Sequence, residues 1–100
     1  MHGSTTIAPH NVDALAERLA QLYETAFAGK PRGRYRLSMK HLRQLTGCRR
    51  VYPETVSAIA RALYERGYVL IDMETYFVVL SQRTFSSYRR VNDAALGRLR

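Results

Sequence analysis

From Val12 to Phe27 the apolar residues recur at helical spacing. Val12, Leu15, Leu19, Leu22, Tyr23, Ala26 and Phe27 fall within an arc of about 140° at 100° per residue, with Asp13, Glu17, Gln21 and Glu24 opposite them. The pattern predicts an amphipathic helix capped by Asn11, with Asp13 where the helix dipole favours an anion, and ended by Gly29 and Pro31. The period then changes. Tyr35-Arg-Leu-Ser38 alternates as a short strand does, and Ser38 is placed to cap a helix over Met39–Thr46, with Met39, Leu42 and Leu45 inward. Gly47 stops that helix as a left-handed C-terminal residue.

After a brief turn, Pro53 opens a third helix that runs to about Arg66 and closes at Gly67. Its apolar side is Val56, Ile59, Ala60 and Leu63; Glu54, Ser57, Ala58, Arg61 and Glu65 lie opposite. Tyr68–Ile71 and Tyr76–Leu80 are rich in β-formers, and the connection Asp72-Met-Glu-Thr75 between them suits a hairpin. Tyr35, Tyr68 and Tyr76 read as half-buried strand residues, and Tyr64 as packing at the edge of the core. Ser86 or Ser87 is expected to cap a last helix through Leu96, lined by Tyr88, Val91, Ala95 and Leu99. Three regions follow: a tail over residues 1–10, a folded unit over 11–82, and a basic extension over 83–100 that is helical in part. The predicted class is α+β, mainly helical.

Charge sharpens this picture. The chain has 100 residues, 46% of them hydrophobic, and a formal net charge of +8, which bounds it to one small basic domain. Residues 30–50 hold Lys30, Arg32, Arg34, Arg36, Lys40, Arg43, Arg49 and Arg50 and no acid. Such a field steers polyanions, although a merely solvated face has the same composition. Arg49 and Arg50 stand just before the third helix, whose N-terminal N–H groups already favour anions such as phosphate.

Other chemistries find little support. His2, His10 and His41 are scattered without zinc-site spacing, and neither a phosphate loop, a nucleophile elbow nor a pair of cleft carboxylates stands out. No enzyme activity, metal or cofactor is therefore expected. The single cysteine, Cys48, admits two readings, a redox-sensitive turn residue or a small buried one. One cysteine, a polar N-terminus and no long apolar run point to the cytoplasm and to no membrane contact.

The element order is helix, strand, helix, helix, strand, strand, with a possible C-terminal helix. Together with Leu42-Arg-Gln-Leu-Thr-Gly47, Thr55-Val-Ser-Ala-Ile-Ala-Arg-Ala-Leu-Tyr-Glu-Arg-Gly67 and the Tyr68–Ile71 strand that follows at once, it resembles the winged helix-turn-helix domain of bacterial transcription regulators over residues 12–82. The resemblance implies a nucleoid-associated repressor or similar regulator that binds double-stranded DNA as a homodimer. The helix over residues 53–66 would read the major groove. Arg49, Arg50, Tyr52 and Thr55 would stand at the groove entrance, with Ser57 and Arg61 on the exposed stripe beside Ala58. Lys40 and Arg43 would hold phosphates, and Arg34 and Arg36 would form an arm toward an adjacent minor groove. The acidic hairpin tip, Asp72 and Glu74, departs from that pattern and keeps two alternatives open: an adaptor for an acidic protein partner, or an RNA-binding module.

Overall fold

The computed structural model describes residues 9–99, with side chains from residue 11 onward. The described residues form an α+β fold with a three-stranded antiparallel sheet: α1 (Pro9–Tyr23), β1 (Tyr35–Ser38), α2 (Met39–Thr46), α3 (Pro53–Glu65), β2 (Tyr68–Asp72), β3 (Tyr76–Ser81), a 3-10 helix (Gln82–Ser87) and α4 (Asp93–Leu96). The strand order is β1-β3-β2, so the first strand closes onto the far edge of the hairpin. Tyr35 pairs with Val79 and Leu37 with Phe77; Leu70 also pairs with Val79. No helix among the described residues is long and apolar enough to cross a membrane.

The inward residues come from every main element. Leu19, Leu42, Ile59, Leu63, Phe77 and Val79 are the largest fully buried side chains, each worth about 1.5–3 kcal/mol of removal from water. Helix α1 packs across α3, and α3 packs against β2. Two polar side chains fix this stack. The Tyr35 hydroxyl donates to the Leu19 carbonyl at 2.6 Å, tying β1 to α1. Arg66, just past α3, donates to Asp13 of α1 at 2.8 Å and to the Ala62 carbonyl at 3.0 Å.

Both ends of α1 differ from expectation. It begins at Pro9, so Asn11 lies inside it rather than capping it; the rest of the expected tail, residues 1–8, lies outside the described residues. It ends at Tyr23, leaving Ala26 and Phe27 in the following loop. There the Thr25 hydroxyl donates to the Gln21 carbonyl at 2.6 Å, and Ala28 and Gly29 take positive φ, which turns the chain away. Phe27 keeps an apolar neighbour without a helix, meeting the Tyr35 ring edge-on at 5.8 Å.

The C-terminal region departs further. No helix starts at Ser86 or Ser87. Ser81 accepts from the Arg83 N–H and nucleates the 3-10 helix, while Asn92 accepts from the Ala95 N–H at 2.8 Å and starts α4, a single turn. Two local caps compete with one continuous helix and prevail. Tyr88, Val91, Ala95 and Leu99, expected as an inward line, are all exposed. Tyr64, expected at the edge of the core, is 63% exposed.

Candidate nucleic-acid interface

The α2–α3 unit is built from local signals that agree with one another. Ser38 accepts from the His41 N–H at 3.1 Å and caps α2. Gly47, at φ 71°, ends it, and its N–H donates to the Arg43 carbonyl at 2.9 Å. A side chain there would meet open space, so backbone conformation alone selects glycine. The turn is then held by Cys48, whose N–H donates to the Thr46 hydroxyl at 3.1 Å while its thiol faces the Thr46 carbonyl. Cys48 is buried, which supports its role as a small structural turn residue.

This turn gathers cations. Lys40, Arg43 and Arg49 line one shallow groove of about 450 Å³ together with Gln44, Gly47 and Cys48. Arg50 is exposed beside them. Among the described residues two ion pairs form, and neither uses any of these cations or Arg61. Gln44 was not singled out by sequence reasoning; its place one turn after Lys40 on α2 was the available signal.

Helix α3 presents its polar flank outward. Glu54, Ser57, Ala58, Arg61 and Glu65 are exposed, as the spacing predicts. Tyr52 occupies the N-cap position in extended conformation, exposed, and gives no side-chain hydrogen bond to the first turn. Pro53 has no N–H to satisfy, and Glu54 supplies the first-turn negative charge that complements the dipole. Thr55 corrects the expectation of a groove-entrance contact. It is 9% exposed, aligned at i, i+4 and i+7 with Ile59 and Ala62 on the buried face. Ala62 was missed as a core residue because Ala60 was assigned that role, and Ala60 is half-buried.

The second basic segment lies elsewhere. Lys30, Arg32, Arg34 and Arg36 line a separate groove of about 350 Å³ with Phe27, Gly33 and Tyr35. Two of these four cations are engaged. Arg32 binds the Glu24 carboxylate at 2.8 Å, and its guanidinium lies 5.7 Å from the Tyr23 ring centre. Arg36 lies 5.0 Å from the Tyr76 ring centre on the outer face of the sheet. Lys30 and Arg34 are exposed.

Glu24 is the hub of a small network. It accepts from Arg32 and from the Tyr68 hydroxyl at 3.0 Å, and the Arg32 hydrogen bond above all holds its carboxyl below the ordinary carboxylate value. The same contact pushes the Arg32 guanidinium up. Partial burial, then the bond to Glu24, raise the Tyr68 phenol.

The hairpin tip is acidic and shaped by its own acid. Asp72 accepts from the Glu74 N–H at 2.8 Å, and Glu74 takes a positive φ of 72°. Asp72, Met73 and Glu74 are all exposed. Comparison with protein-family models, with curated proteins and with solved structures finds no match to this chain.

Proposed function

We propose that this chain is a small transcription regulator of winged helix-turn-helix type that binds double-stranded DNA with α3 in the major groove. The observation that carries the reading is the exposed polar flank of α3, which follows directly in the chain on a turn whose cations Lys40, Arg43, Arg49 and Arg50 form no ion pair among the described residues. The element order and the β1-β3-β2 sheet, which sets a hairpin directly after α3, support it.

In mechanism, Lys40, Arg43 and Arg49 would neutralise phosphates along one strand and set the register of the protein on the duplex. Arg50 and Arg61 would reach base edges, where a bidentate contact to guanine discriminates by about 1–3 kcal/mol. Ser57 and Ala58 are small enough for the helix backbone to approach the groove floor. Arg34 would act as a minor-groove arm; Arg36 is a weaker candidate because its guanidinium already faces Tyr76. A single α3 reads few base pairs, so two copies on symmetric half-sites would supply the specificity.

One observation favours a second reading. The exposed acidic tip, Asp72 and Glu74, repels phosphate, and an adaptor that docks an acidic protein through the basic turn would have no need of a cationic tip. Titration of a labelled random duplex, by fluorescence anisotropy at low and at physiological salt, separates the two. The DNA reading predicts non-specific binding with Kd of about 10⁻⁴–10⁻⁶ M at physiological salt, tightening as salt falls. No binding at either salt would exclude it, and a preference for folded RNA over duplex DNA would point to the RNA module.

A further inference from the structure

We infer that the loop between α1 and β1 is a binding site for one nucleotide, with the base laid on Phe27 and the phosphate held by Lys30 and Arg34. The site is a groove of about 350 Å³ whose lining includes Phe27, Lys30, Arg32, Arg34, Tyr35 and Arg36. Ligand pockets run from about 300 to 1,000 Å³, so this one suits a small ligand of nucleotide size.

The groove sets an aromatic ring beside a cation. Phe27 and Lys30 exchange both backbone hydrogen bonds, each at 3.0 Å, across a two-residue turn in which Ala28 and Gly29 have φ of 52° and 81°. Positive φ at both central residues is the pattern of a type I′ turn. Residues paired in this way put their side chains on one face, with Cα atoms about 5.5 Å apart. Phe27 is 42% exposed, and its one ring neighbour among the described residues, Tyr35, meets it edge-on rather than stacked. Apolar ring surface therefore stays open to the groove. The loop is also preset. The Gly33 N–H donates to the Tyr23 carbonyl at 2.8 Å, the Thr25 hydroxyl donates to the Gln21 carbonyl, and Arg32 is anchored on Glu24. A ligand arriving here has little backbone left to order.

Charge selects the other half of the ligand. Arg32 is taken up by Glu24 and Arg36 stands over Tyr76, whereas Lys30 and Arg34 are exposed and form no ion pair among the described residues. No acid is among the residues that line the groove. A ligand that uses both the ring and the two free cations is flat and apolar at one end and anionic at the other. An uncharged aromatic would leave the cations unused, and an inorganic anion would leave the ring unused. A phosphomonoester carries about −1.5 to −2 charges at neutral pH and so matches two cations, where a carboxylate matches one. A nucleotide joins such a group to a base whose face stacks on aromatic side chains.

Of the two cations, Arg34 is also a proposed DNA contact, so a bound nucleotide would withdraw it from the minor groove. The test contains no DNA, and either reading can fail alone. Adenosine 5′-monophosphate, adenosine and inorganic phosphate are each titrated into the full chain at low salt while amide chemical shifts are recorded. The monophosphate should bind saturably and about tenfold tighter than adenosine or phosphate, with the largest shifts at Phe27, Lys30, Gly33 and Arg34. Phe27→Leu keeps an apolar neighbour for Tyr35 and should lower monophosphate affinity about tenfold while sparing phosphate; Phe27→Tyr should retain the affinity. Lys30→Ala/Arg34→Ala should weaken monophosphate and phosphate alike at this loop. Monophosphate binding no tighter than phosphate, shifts confined to Lys40–Arg50, or an affinity indifferent to Phe27→Leu would overturn the assignment.

Discussion

Two basic segments of similar density meet different fates in this molecule. At the α2–α3 turn, Lys40, Arg43, Arg49 and Arg50 have no carboxylate partner among the described residues. In the loop before β1, Arg32 is tied to Glu24 and lies near the Tyr23 ring, and in β1 itself Arg36 lies near the Tyr76 ring. The difference teaches that charge counted along a chain does not measure charge offered to a ligand. Guanidinium groups near rings and carboxylates are spent on the fold, whereas those flanking a tight helix–helix turn remain in solvent. The proposed interface rests on the second kind.

The sharpest way to break this contrast is charge-matched. Replacing Lys40, Arg43, Arg49 and Arg50 with alanine should remove most duplex affinity and cut the salt slope by about 0.9 for each lost phosphate contact. Replacing Lys30, Arg32, Arg34 and Arg36 removes the same formal charge and should cost far less affinity, with a loss of thermal stability instead. Equal affinity losses in the two anisotropy titrations would mean that only the overall field matters.

Next in size is Leu42→Ala. Leu42 is fully buried and anchors α2, so the change should cost about 2–5 kcal/mol by urea denaturation and weaken DNA binding only through unfolding. Gly47→Ala should cost about 1–2 kcal/mol, since the added methyl meets no neighbour but must adopt φ 71°. A neutral result would show that the turn is free to rearrange.

The smallest expected effect concerns Tyr35. Burial, helped by the nearby Tyr68, raises its phenol above the ordinary value. The folded chain therefore keeps a proton that the unfolded chain releases near pH 10, so this contribution is full below about pH 10 and is lost as pH rises beyond it. Tyr35→Phe should cost about 0.5–1.5 kcal/mol at neutral pH, through the bond to the Leu19 carbonyl, and should flatten the alkaline loss of stability. Denaturation series at neutral and alkaline pH check both.

Much of the frame was legible because its signals are local. The strand Tyr35–Ser38, the cap at Ser38, the left-handed stop at Gly47 and the proline-opened helix from Pro53 each depend on a few adjacent residues, and all are present. Failures arose where one apolar residue had two possible partners. Phe27 continued the helical period of α1 but is served by the Tyr35 ring from a loop. The line from Tyr88 to Leu99 looked like an inward face, yet the caps at Ser81 and Asn92 break it and leave its apolar groups in solvent. Thr55 misled because its polar side chain sits in the first turn, while the register of α3 puts it on the buried face with Ile59 and Ala62. The engagement of Arg32 and Arg36 was equally hidden, since Glu24 and Tyr76 reach them only through the tertiary fold.

The central claim is that the α2–α3 turn and the outward flank of α3 are where duplex DNA meets this chain. Amide chemical shifts recorded while a short duplex is added test it residue by residue. The account predicts the largest changes at Lys40, Arg43, Arg49, Arg50, Ser57 and Arg61, and little change at the buried Leu63. Shifts confined to the loop before β1, or none anywhere at low salt, would contradict it.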